Sequence, residues 1–65
     1  MRLFDVIKYF SFDEKCRVYT DETKKDFVEF EGEVNDIPYW LCELKLIEDG
    51  GIGTEDGIIY FFVEA

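Results

Sequence analysis

The chain has 65 residues, so it reads as one domain. Sixteen Asp and Glu against seven Lys and Arg leave a formal charge of −9, with no His, two Cys, one Pro and one Ser. Without His there is no Ser–His or Cys–His nucleophile pair. Two Cys are too few for a structural zinc site, the acid excess repels nucleic acid, and no apolar run nears the ~20 residues of a membrane span.

Size sets a stability problem. Area scaling gives about 4,300 Å² of folded surface, with about 60% of the unfolded chain's surface buried. The 12 aromatic residues partly answer it, because each ring buries about 150–250 Å². An apolar content of 48% is far above that of a disordered acidic tail. The N-terminus carries Asp5 and no small-residue cleavage site, so it does not read as a signal peptide. Two Cys without other secretory features point to a reducing compartment, the cytoplasm.

Leu3, Val6, Ile7 and Phe10 recur at the i, i+3, i+4, i+7 spacing of an amphipathic helix, which predicts a short helix over 2–10. Alone it is too short to be stable, so its stripe must dock. Residues 11–15 read as a turn anchored by Phe12. Residues 16–21 alternate and are rich in β-branched and aromatic side chains, which predicts a first strand. A charged connection follows over 21–26. In 27–34, Val28, Phe30 and Val34 face one way and Glu29, Glu31 and Glu33 the other, so a second strand forms an antiparallel hairpin with the first. Gly32 interrupts the apolar side, as at a bulge or beneath a packed ring.

Asn35 or Asp36 is positioned to cap a short helical turn over 38–43, with Pro38 in its first turn. Residues 44–47 read as a third strand and 50–57 as a turn region containing the tight-turn pair Asp56-Gly57. Residues 58–64 give the strongest β signal. That fourth strand is apolar on both faces, which suits a central position. The expected class is α+β: an N-terminal helix and a small, antiparallel, four-stranded curled sheet, in its favoured variant an SH3-like partial barrel.

One set of spacings runs through most of the chain. It comprises Leu3-x-Asp5-Val6, then Arg17-Val18-Tyr19-Thr20-Asp21, then Phe30-Glu31-Gly32-Glu33-Val34-x-Asp36-Ile37-Pro38, then Asp56-Gly57-x-Ile59 before an apolar strand. In these it resembles small uncharacterised proteins carried by phages and mobile elements of low-GC Gram-positive bacteria, departing from them at Gly50–Glu55 and Trp40. The resemblance implies a genomic setting. It brings no activity and no functional residue.

Known chemical motifs fit poorly. Gly51-Ile52-Gly53-Thr54 is followed by no helix, holds no Lys, and leads into Glu55 and Asp56, which repel phosphate. Carboxylates are abundant, but a two-carboxylate hydrolase needs a cleft that 65 residues hardly enclose. Glutamates spread along a strand do not wrap a calcium ion. Cys16 and Cys42 read as buried, inert thiols rather than a redox pair. The expectation is therefore no enzyme, no cofactor and no metal.

Three features point to binding. Residues 13–36 hold nine acids against four bases, and Glu29, Glu31 and Glu33 lie ~6.7 Å apart along one strand face. Alternate phosphates of a nucleic-acid strand have about that spacing, at ~3.4 Å per nucleotide. The acids, with Asp36, thus suit a basic groove built for nucleic acid, although Arg17 pairing across the hairpin would make the same face a merely solvated one. Tyr39 and Trp40 are neighbours on one helical turn, so at least one ring is left as a binding anchor. An open edge of the fourth strand would pair with another chain. The expected function is a non-catalytic acidic binding protein, an inhibitor that mimics nucleic acid to block a basic host protein. It binds a protein partner and neither nucleic acid nor membrane. The alternative is a small structural or adaptor domain, as a homodimer, with acidity serving solubility.

Overall fold

The computed structural model describes residues 1–20, 28–48 and 50–64. The charged connection over 21–26, with Asp21 and Phe27 of the two expected strands, lies outside the described residues. In chain order come α1 (Leu3–Ile7), β1 (Lys15–Tyr19), β2 (Phe30–Glu33), a 3-10 turn (Val34–Asp36), α2 (Tyr39–Cys42), β3 (Ile52–Glu55) and β4 (Ile58–Phe62). The accessible surface is 4563 Å², close to the value that area scaling gives. No helix among the described residues is long and apolar enough to cross a membrane.

The class is α+β, as expected, but the sheet is mixed and open rather than antiparallel and barrel-like. Its order is β2-β1-β4-β3, with β1–β2 and β3–β4 antiparallel and the central pair β1–β4 parallel. A parallel pair requires a long crossover, and the chain between β1 and β4 supplies one through β2, α2 and β3. The two-sided apolar character of β4 fits this central place.

Of the helix expected over 2–10, only Leu3–Ile7 is α-helical. Asp5 accepts a hydrogen bond from the Arg2 backbone N–H at 3.0 Å and closes the first turn. Beyond Ile7 the chain tightens: Tyr9 donates to Val6 and Phe10 to Ile7, three residues back. The apolar stripe survives this change. Leu3 and Val6 are buried, Ile7 and Phe10 pack against the core, and the Phe10 ring meets Phe61 edge-on at 5.5 Å. The turn after α1 forms through a bond from Glu14 to Ser11, but Phe12 does not anchor it, since 79% of its surface is exposed.

The expected third strand is corrected. Residues 44–47 form an extended strap with isolated bridges, Arg2 to Lys45 and Leu46 to Val63. Leu3 donates to Leu44, Leu46 to Met1, Ile47 to Phe62, and Glu64 to Lys45, so the strap ties both ends of the chain to the sheet. The third strand is instead β3, inside the expected turn region. The reason lies in Asp56-Gly57. Both residues have positive φ, +54° and +78°, which is the two-residue hairpin turn that joins strands directly, so the residues before it pair with those after it. Gly51 lets β3 approach the strap. A Cβ there would stand 2.3 Å from the Ile47 carbonyl oxygen.

The register sorts side chains onto two faces. Cys16 lies beside Ile59 and Val18 beside Phe61 on the first; Arg17 lies beside Tyr60 and Tyr19 beside Phe62 on the second. Leu3, Val6, Val34, Ile37, Leu41, Cys42 and Leu46 cover the first face and complete the core. The Phe30 ring lies across Gly32, where an added Cβ would meet it at 3.0 Å, as the glycine suggested.

Candidate functional site

The glutamate row is only partly a strand feature. Glu29 precedes β2 and donates its backbone N–H to Val18, whose register partner is Phe30, so the strand bends at its start. Glu31 and Glu33 follow on the second face. Neither stands alone. Glu31 forms an ion pair with Arg17 from the neighbouring strand, and Glu33 lies opposite Lys15. The carboxylate pushes the Arg17 pKa further up, chiefly through that hydrogen bond. Arg17 also lies over the Tyr60 ring, 5.9 Å from its centroid. Beyond Tyr60 the rings continue: Tyr19 meets Tyr60 edge-on at 5.9 Å and stacks on Phe62 at 5.1 Å. The second face is thus a strip of rings ending in the Arg17–Glu31 ion pair, with Lys15 and Glu33 facing each other beyond it.

Tyr39 and Trp40 are placed by α2. Neither Asn35 nor Asp36 caps that helix: Asp36 ends the preceding 3-10 turn, and Pro38 takes the N-cap position, its carbonyl accepting from Leu41 and Cys42. One helical turn has two sides. Leu41 and Cys42 take the inward one, which turns both Tyr39 and Trp40 outward, with 71% and 53% of their surfaces exposed. Sequence reasoning required only one exposed ring; both are exposed.

Tyr39 has a neighbouring ring that the sequence does not single out. Phe4 of α1 is 58% exposed, and it lines a shallow cleft with Tyr39, Arg2, Asp5 and Glu43. Its position was readable, because Phe4 falls outside the Leu3–Val6–Ile7–Phe10 stripe, yet nothing in the spacing placed α1 beside α2. Asp36 is exposed and precedes this cluster by three residues. The structure therefore separates the six predicted residues into two groups. Glu31 and Glu33 belong to the second sheet face, with Glu29 at its margin, while Asp36, Tyr39 and Trp40 belong to the helical side.

The fourth strand offers no free edge, since β1 and β3 flank it. The two thiols are free and buried in the same core. Burial pushes the Cys16 pKa up to about 11, with a smaller contribution from Cys42, and burial raises Cys42 as well. Neither is poised as a nucleophile. Among the described residues no group of three or more Cys, Asp or Glu is arranged to hold a metal ion. No protein-family model, curated protein or solved structure matches the chain.

Proposed function

We propose that the protein is a non-catalytic binding domain that docks a basic protein surface through the rings of α1 and α2. The supporting observation is the exposure of Phe4, Tyr39 and Trp40 on the two short helices, with Phe4 and Tyr39 lining one cleft. Large rings left in water on a small domain fit a contact surface, and aromatic residues carry much of the energy of such contacts. Asp5 and Glu43 add acid beside Phe4 and Tyr39, Asp36 adds one just before α2, and the charge of −9 steers a basic partner toward them. In its sharper form the partner is a nucleic-acid-handling protein whose basic groove the domain occupies. Arg17 and Lys15 offset Glu31 and Glu33, so the strand row is a poor copy of a phosphate backbone, and the weight of this reading rests on the helical side.

Trp40 is the single tryptophan, which makes it a reporter. Capture from a cell lysate should retain a basic partner that high salt releases. Adding the purified partner should shift Trp40 emission to the blue. The double substitution Tyr39→Ala, Trp40→Ala should abolish capture, whereas reversing Glu31 and Glu33 to Lys should weaken it only modestly. Capture that survives loss of both rings would overturn this assignment.

A further inference from the structure

The outer strands of the sheet, β2 and β3, meet solvent differently. In β2, alternation from the bond that Val34 donates to Glu14 leaves the backbone groups of Glu31 and Glu33 pointing away from β1. Those two residues bring carboxylates to any strand that approaches, a familiar way to keep an edge unpaired.

β3 lacks that guard. Phe62 donates to the Gly51 carbonyl at 2.8 Å, so by alternation Gly53 and Glu55 face β4, while Ile52 and Thr54 turn their N–H and carbonyl groups outward. The two outward sets lie ~6.7 Å apart, the repeat of an extended chain. Ile52, Gly53 and Thr54 carry no charge. Ile52 borders an open groove of about 420 Å³, lined also by Met1, Leu46, Ile47 and Glu48. Met1 and Ile52 are exposed, and Glu55 stands exposed at the far end of the strand. On the other face a Cβ at Gly53 would meet nothing within 4 Å, which leaves room for a side chain beside Tyr60.

We propose that the outer edge of β3 takes up an extended peptide as a fifth strand, with apolar side chains in the groove and basic side chains near Glu48 and Glu55. Backbone pairing at Ile52 and Thr54 supplies the affinity, and the groove and acids select an alternating apolar and basic sequence. Charge favours this occupant over a second copy, because antiparallel pairing of two β3 strands brings Glu55 of one chain toward Glu48 of the other in chains that each carry −9. The site uses none of Phe4, Tyr39 or Trp40 and stands independently of the reading above.

The test is calorimetric titration with an eight-residue peptide alternating valine and lysine, blocked at both ends. Two controls accompany it: the same peptide N-methylated throughout, and its valine–glutamate counterpart. The first peptide should bind, and both controls should bind at least about tenfold more weakly. Thr54→Pro removes one outward N–H, a change that edge strands tolerate, and should cost a similar factor. Equal binding of the N-methylated peptide would mean that bulk charge alone is read and would overturn the proposal. So would unchanged affinity in a folded Thr54→Pro variant, or a dimer in sedimentation that Thr54→Pro disperses. If that variant does not fold, the N-methylated control decides alone.

Discussion

The two faces of the sheet are built from the same four strands and come out differently. On the first, Val18 and Phe61 have no exposed surface, and α1, α2 and the 44–47 strap close over them. On the second, Tyr60 and Phe62 stay half-buried, Tyr19 is packed between their rings, and Arg17, Lys15, Glu31 and Glu33 complete the surface. None of these residues belongs to the core cluster. A small chain can fill one layer well. What it has left for the other face is flat rings and paired charges, which are stable half in water.

Replacing one phenylalanine on each face tests this division most strongly. Phe61→Ala should cost about 3–5 kcal/mol, since it empties the centre of the core and removes the edge-on contact with Phe10. That is a large part of what a domain of this size has. Phe62→Ala, one residue on, should cost about 1–2 kcal/mol, from a half-buried ring and one stack on Tyr19. Urea denaturation of both variants gives the comparison. Equal losses would mean that the second face is as much a core as the first.

Part of this division is readable in the sequence. The stripe Leu3–Val6–Ile7–Phe10, the alternation of 16–19 and the two-sided apolar run of 58–63 place most of the core without a structure. The missed element, β3, has the pattern Ile-Gly-Thr-Glu, which carries almost no hydrophobic signal because an edge strand needs little. Its evidence was Asp56-Gly57, a turn that commits both flanks to pairing. The apolar segment 44–47 looked more like a strand, but its backbone bonds are divided between the N-terminus and the end of β4, which no local pattern specifies. The parallel central pair was hidden for the same reason, being set by where the crossover returns.

Cys16 probes the sealing of the first face by pH. Its pKa is raised from 9.0 to about 11 in the folded chain, chiefly by burial. A raised folded pKa means that the unfolded chain loses the proton first. The stability tied to the neutral thiol is whole below pH 9 and is lost as pH climbs through about 11. Denaturation midpoints should therefore fall across that window, by less than the loss at Phe61, and more steeply in the parent chain than in Cys16→Ala. Identical slopes would show that water already reaches the thiol.

The candidate site was legible to a different degree. Exposure of one of Tyr39 and Trp40 follows from local geometry alone; exposure of both follows only once Leu41 and Cys42 take the inward side of the turn. Phe4 beside Tyr39 did not follow, because the α1–α2 contact is tertiary. The glutamate row is a pattern of side-chain direction, which holds for Glu31 and Glu33, but direction says nothing about partners. Cross-strand register decides those, and register put Arg17 and Lys15 opposite two of the three acids.

The smallest effect bears on whether that pairing matters. Arg17 and Glu31 are partly solvated, so Glu31→Gln should cost at most about 1 kcal/mol and less at 1 M salt. Arg17→Ala should cost somewhat more, because the side chain also covers the Tyr60 ring. A double-mutant cycle separates the two contributions: the coupling between the two substitutions belongs to the ion pair and should fall in salt, and the cost of Arg17→Ala that remains in the Glu31→Gln background belongs to packing on Tyr60. If the coupling is near zero even at low salt, Glu31 is available to a basic partner at no cost to the fold, and the second face regains the role that Arg17 otherwise takes from it. If the coupling is substantial at low salt, Glu31 is part of how this face is held, and contact with a partner falls to the rings on the helical side.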